Sequence, residues 1–310
     1  MNKKIILSTI VLLLTIASMV ILLPGKNDKK IEKNKKDEKK EELYTPALYK
    51  ICDDDSCIYL LGSIHLGDSR ISKLSDTIIN AYKESDKIAV ELDADNAQLT
   101  EEDLLANDSN RIDNVVDAET KNKIVDFFDN KLGIPYSAVE NYKFSYLSTL
   151  IESFMYLKAG LSNPGVDSYF IKLAKQDNKE IIEFETYEFQ MNILLNQSNE
   201  FYIKQVNNLI DTYDETFDEL SKMYEAYLNG NVEDLKEFVN IDLNDESLTE
   251  EEKEYLNDLY TNRNTNMAAR CEEFLNNNEN VFVTVGAAHV VADGGIVDLL
   301  KDKYKIELVK

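Results

Sequence analysis

Residues 58–93 read as a strand, a helix and a second strand, a succession that few folds accommodate. Residues 58–61, IYLL, are a short apolar run of strand type. Residues 75–84 then space their apolar side chains at helical intervals behind Ser75, a residue suited to capping. Residues 87–93, KIAVELD, return to a strand pattern. Strands joined through a helix run parallel, so this stretch predicts a βαβ unit with parallel pairing. The pattern recurs. Residues 166–174 are helical by spacing and 180–185 strand-like; residues 264–275 are helical and 281–285 strand-like. A helix over 296–300 leads to a last strand at 305–309, and residues 48–51 and 58–61 flank an acidic turn as a hairpin. From 187 to about 260 the strand signal vanishes. An amphipathic helix over 202–227, a stop at Gly230, a short helix over 232–239 and a capping box at Thr249-Glu-Glu-Glu252 mark a helical insertion. The expected fold is α/β: a mixed, partly parallel central sheet of βαβ units in residues 43–310, with a helical insertion at about 187–260.

Two segments precede that domain. Lys3 and Lys4 come before residues 5–23, nineteen residues without a charge. At about 1.5 Å per residue a helix of that length spans roughly 28 Å, close to a bilayer core. A cleavable signal has a shorter apolar region, about 7–15 residues, and then a small-x-small site. Ala17-Ser-Met19 fits such a site poorly and the apolar run continues past it. Residues 1–25 are therefore expected to be an N-terminal transmembrane helix, an uncleaved signal-anchor. Residues 26–42, with eight lysines and six acids, bury too little apolar surface to fold and form a solvated tether. Orientation sets two rules against each other. The tether lysines favour the cytoplasm, whereas an apolar segment this early exports the chain behind it. A single-pass membrane protein with its domain outside the cell is the expectation.

Removing the ten lysines and six acids of residues 1–42 from the chain's 34 basic and 58 acidic residues leaves 24 and 52, a net of −28. Phosphate backbones need a basic surface, so nucleic acid is not an expected partner. Cys52 and Cys57 flank the acidic hairpin turn at a separation suited to a disulfide, given export. A thiol zinc site is the alternative, but no second Cys or His pair accompanies it. Cys271 falls in a helical pattern as a small buried side chain.

The chain has two histidines, and they share a frame. His65 ends Gly62-Ser-Ile-His and His289 ends Gly286-Ala-Ala-His, each directly after an apolar strand. Glu91 and Glu185 close two further strands. All four sit at carboxyl ends of strands expected to be parallel, the edge at which open α/β sheets bind ligands. Imidazole nitrogen and carboxylate oxygen suit a divalent first-row ion such as Zn, Mn or Co. A spare carboxylate can serve as general base. A lone histidine after a strand is more often a hydrogen-bonded structural residue. Two in one frame, with carboxylates at equivalent strand ends, point to a site.

The stretches GSIHLGD (62–68), AVELD (89–93), PGVDSYF (164–170), EFETYEFQ (183–190) and VTVGAAHVVADGGIVDLL (283–300) resemble the TraB/GumN family. The resemblance spans roughly residues 45–310, and the family includes Tiki-like metalloproteases and pheromone-shutdown proteins. It implies a fold akin to the erythromycin esterases and an active centre of His65, Glu91 and His289, with Glu185 beside them. Arg263, otherwise readable as a surface or capping residue, is implied as a clamp on a substrate carboxylate or a stabiliser of an oxyanion. Ser63 stands where threonine is commoner. The function so implied is a metal-dependent hydrolase, a peptidase acting on a secreted or surface peptide. A divalent Mn, Co or Zn ion would be held by His65, Glu91 and His289. Glu185 would be a fourth ligand or general base. Two readings stay open beside it: a metal-free centre in which histidine and glutamate activate water directly, and a non-catalytic protein that sequesters a peptide. Glu91 within reach of both histidines would favour the metal; Glu91 beside only one, the metal-free centre.

Overall fold

The computed structural model describes residues 43–93 and 100–309. The expected membrane anchor and tether, residues 1–42, lie outside the described residues. Among those described, no helix is long and apolar enough to cross a membrane.

The strands in chain order are β1 (Leu48–Cys52), β2 (Cys57–Ser63), β3 (Leu66–Gly67), β4 (Lys87–Val90), β5 (Asn163–Pro164), β6 (Glu180–Glu183), β7 (Val281–Gly286) and β8 (Lys305–Val309). Six form one sheet in the order β6-β4-β7-β2-β1-β8, and β3 pairs with β5 in a small second sheet. The neighbours from β6 to β2 pair in parallel, whereas β1 is antiparallel to both β2 and β8. This is the mixed, mostly parallel α/β sheet that the strand–helix alternation predicts. One detail differs. β2 and β4, joined through the helix Asp76–Glu84, do not pair, because β7 lies between them. Its residues, VFVTVG, are buried along their whole length, and a strand apolar on both faces takes the middle of the sheet.

At the β1–β2 hairpin Cys52 and Cys57 are in register, 4.1 Å apart at Cα, and form a disulfide. The turn is tied by Asp53, whose carboxylate accepts from the N–H groups of Asp55 (2.9 Å) and Ser56 (2.7 Å). Cys271 is fully buried, and burial pushes its thiol up to about 12.

Helices beyond the strand–helix alternation come from residues 101–158 and 187–262. Besides residues 187–262, the sequence hides a helix at Phe144–Lys158, buried on nearly every side, which packs on the helix Asn199–Asp211. Its buried serines and threonines bond back to carbonyls one turn earlier, which makes the helix wettable in composition yet buried in place. The expected helix over 202–227 is broken into Asn199–Asp211 and Tyr213–Leu228. At the break Thr212 bonds through its hydroxyl to the Asn208 carbonyl (2.8 Å), the back-bonding that bends helices. Thr249 and Glu252 do form a capping box, whereas Ser75 occupies its N-cap position without a side-chain cap bond. Gly230 must be glycine: φ is +60°, and a Cβ there would lie 2.3 Å from the Thr45 carbonyl oxygen.

Candidate active site

Past the end of β2 the chain turns at His65 into β3, and Gly165 braces the turn. Its N–H donates to the His65 carbonyl (2.8 Å), and Val166 N–H donates to the Ile64 carbonyl (3.1 Å). A Cβ on Gly165 would stand 1.7 Å from the Ile64 carbonyl oxygen, so only glycine permits this approach. The contact delivers Asp167, in the first turn of the helix Val166–Asp177, to the imidazole. His65 Nδ1 lies 2.6 Å from Asp167 Oδ2.

His289 belongs to the helix Ala287–Val291, which begins where β7 stops. Its Nδ1 lies 2.6 Å from Asn264 Oδ1, while Asn264 Nδ2 donates to the Gly294 carbonyl at 3.0 Å. That second bond fixes the amide with its oxygen towards His289, so Nδ1 carries the proton. Both imidazoles are thus held through Nδ1, one by a carboxylate and one by an amide. Neither Nε2 has a hydrogen-bond partner, and both rings are buried.

Glu91 and Glu185 continue the β4–β6 ladder past its end, with Glu185 N–H bonding the Glu91 carbonyl at 3.0 Å. Arg263 joins their side chains. Its Nη2 donates to Glu91 Oε2 (2.6 Å) and to Glu185 Oε2 (2.8 Å), and its Nε donates to Glu185 Oε1 (2.7 Å). Arg263 follows six residues, Asn257–Asn262, wound as a π-helix, an irregularity that often accompanies functional residues. Gln190 Nε2 donates to Glu185 Oε2 at 2.9 Å. The other Glu91 oxygen accepts from Gly286 N–H at 2.6 Å and stands 4.0 Å from His289 Nε2. Gly286, the glycine of the second histidine frame, is a packing requirement as well: a Cβ there would meet Glu91 Oε1 at 3.1 Å and His289 Cδ2 at 3.5 Å.

Charge follows from this geometry. Burial would raise the Glu91 carboxyl, but the Arg263 guanidinium, with help from the imidazoles and the Gly286 N–H, carries it down to about 2. The two histidines diverge. Burial lowers His289 to about 3, and nearby Arg263 presses the same way, so it is neutral at physiological pH. Burial also acts against a charged His65, yet Asp167 overcomes it and leaves His65 above its usual value.

The five residues expected from the sequence are thus gathered at one sheet edge, but not equally. Glu91 lies near His289; among the described ion pairs none joins it to His65. Four of the five Arg263 N–H groups are engaged, three by the two carboxylates and one, on Nη1, by the Leu259 carbonyl at 3.4 Å. Glu185 has both oxygens committed. A cleft of about 770 Å³ lined by Leu92, Phe184, Glu185, Tyr187, Phe189 and Met267 abuts the cluster only through Glu185. Asp167 and Asn264 carry no role in the sequence reading. The available signal for Asp167 was Gly165, a glycine just before a helix.

No group of three or more His, Cys, Asp or Glu side chains among the described residues is arranged to hold a metal ion. What the site does offer a divalent ion is two buried, oriented imidazoles with partnerless Nε2 atoms, and an ionised carboxylate beside one of them. That donor chemistry fits.

A family model described as the TraB/PrgY/gumN family matches residues 47–308. No curated protein and no solved structure matches the chain.

Proposed function

This chain belongs to the TraB/PrgY/gumN family, and from that premise we propose a hydrolase acting on a peptide or protein, with His65 and His289 as its reacting groups. One observation carries the reading. Both imidazoles are fixed through Nδ1, by different partners, and both Nε2 atoms are buried without any. An orphaned buried polar atom costs about 1–3 kcal/mol, so such a pair is costly unless a ligand completes it.

The opposite shifts of the two rings divide the work between them. His65, backed by Asp167, takes a proton from water and returns it to the leaving group, because the carboxylate stabilises the imidazolium. His289 stays neutral and accepts a hydrogen bond. Arg263 keeps Glu91 ionised and ties it to Glu185. If a divalent Mn, Co or Zn ion binds, the residues to hold it are His65 and His289 through Nε2, with Glu91. Such an ion supplies carbonyl polarisation and an acidified water. A metal-free centre is the second reading, favoured by the 2.6 Å His65–Asp167 pair.

We place the domain in an erythromycin-esterase-like fold group, outside the cell and anchored through residues 5–23. The Cys52–Cys57 disulfide supports an oxidising compartment. The test is digestion of a peptide library by full-length protein in detergent, with chelator and then with Mn, Co or Zn added back. Loss of cleavage in His65→Ala and His289→Ala is expected. Loss in chelator with recovery on addition of metal supports the ion, and cleavage unaffected by chelator assigns the centre to His65 and Asp167. Full cleavage by both histidine variants would refute the hydrolase reading.

A further inference from the structure

Acyl hydrolysis develops negative charge on the carbonyl oxygen, and a hydrolase must aim a donor at it. Two strong donors at this sheet edge are already engaged by carboxylates. Arg263 is shared between Glu91 and Glu185, and Gly286 N–H is given to Glu91. A third donor is uncommitted. Ser63 is the last residue of β2, fully buried, and its hydroxyl has no hydrogen-bond partner. Its position follows from register. Ser63 pairs with Gly286 across the parallel β2–β7 ladder, and residues in register present their side chains on the same face of a sheet. On that face a Cβ at Gly286 would lie 3.1 Å from Glu91 Oε1 and 3.5 Å from His289 Cδ2. The Ser63 hydroxyl therefore shares the Glu91–His289 face, one strand over. Thr284, two residues before Gly286 on the same face, is also buried with a partnerless hydroxyl, so this patch of sheet carries unspent donors rather than one stray rotamer.

We propose that Ser63 is a catalytic residue whose hydroxyl donates to the oxyanion formed at the substrate carbonyl. The inference rests on the hydrolase reading in its metal-free form, in which His65 Nε2 is free to take a proton. Ser63 forms no covalent bond and keeps its proton. Water loses a proton to His65 Nε2 and its oxygen bonds to the carbonyl carbon, whose π pair moves onto the oxygen that Ser63 bonds. When the C–N bond breaks, the nitrogen leaves with the proton returned by His65, and the carbonyl re-forms.

The test compares Ser63→Ala and Ser63→Thr in the full-length protein. Removing one oxyanion donor lowers kcat by about 10²–10³-fold in well-studied cases. Ser63→Ala should show a loss of that order with KM within about twofold, and Ser63→Thr, which restores the hydroxyl, should recover most of it. Binding of methylphosphonate, a tetrahedral oxyanion, should weaken in Ser63→Ala and not in Ser63→Thr. A kcat for Ser63→Ala within threefold of wild type, or equal losses in both variants, overturns the proposal while leaving the hydrolase reading intact. If wild-type protein cleaves nothing, the hydrolase reading fails by itself, and phosphonate binding decides Ser63: equal affinity, or none, in wild type and Ser63→Ala overturns it.

Discussion

Replacing Arg263 by methionine should reverse the pH dependence of stability. The guanidinium is 3 % exposed and the two carboxylates it bridges 5 % and 6 %, so its removal strands two acids in the interior. Breaking a buried pair from one side typically costs 3–5 kcal/mol. The titration of Glu91 gives a similar figure. Its carboxyl lies at about 2 against an ordinary 4.5, a difference worth about 3 kcal/mol of folding free energy. Because the folded value is the lower one, this stabilisation is complete above pH 4.5 and disappears as the pH falls towards 2. Without Arg263, burial is the leading influence on Glu91 and acts in the other direction. Its folded value then rises above the unfolded one, so stability is lost as pH increases beyond 4.5. Urea unfolding of chelator-treated protein at intervals from pH 3 to 8, followed by circular dichroism, reads both effects. Arg263→Met should be about 3–5 kcal/mol less stable at pH 7, with the deficit growing as pH rises. A deficit under about 1 kcal/mol, or a difference independent of pH, would refute the claim that Arg263 compensates buried charge.

Asp167→Asn removes the group that lifts His65, so the imidazole should titrate below its usual value instead of above it, as seen by NMR. Peptide cleavage should fall on the order of 10²-fold or more, since proton transfer through a carboxylate-backed histidine depends on that partner; an unchanged His65 titration would contradict the geometry. Reducing Cys52–Cys57, or substituting Cys57→Ser, opens a loop closed at a separation of five residues. Loop-closure entropy puts that loss at about 2 kcal/mol. Unfolding curves with and without dithiothreitol check it, and coincident curves would show that the crosslink contributes nothing.

Much of the sheet was legible in the sequence because apolar strands and amphipathic helices carry different periods. The order of strands was not, since β7 enters between β2 and β4 from almost two hundred residues downstream, and no local signal reports that. The helix Phe144–Lys158 escaped although Ser145, Ser148, Thr149, Glu152 and Ser153 recur at helical spacing, because that polar stripe is buried along with the apolar side chains instead of marking a solvent face. At the site, His65, Glu91, Glu185 and His289 were recognisable as polar residues closing apolar strands. Their partners were not. Asp167 and Asn264 lie on helices distant in the chain, and only the folded backbone, through the Gly165 contact with Ile64 and His65, brings Asp167 to its imidazole. Arg263 entered only through the family resemblance, as a clamp or oxyanion stabiliser; that it bridges two buried carboxylates had no signal in the sequence.

The central claim is that two buried imidazoles, each fixed at Nδ1, are driven apart in basicity. With only two histidines in the chain, nitrogen-15 labelling of histidine alone gives an NMR spectrum in which every imidazole signal is assignable. Full-length protein in detergent, treated with chelator, would be titrated from pH 8 to 4. His289 should remain neutral, protonated on Nδ1 and bare on Nε2, throughout that range, consistent with its value of about 3. His65 should gain its second proton above the usual 6.5. Two histidines titrating together near 6.5, or a His289 carrying its proton on Nε2, would contradict the account.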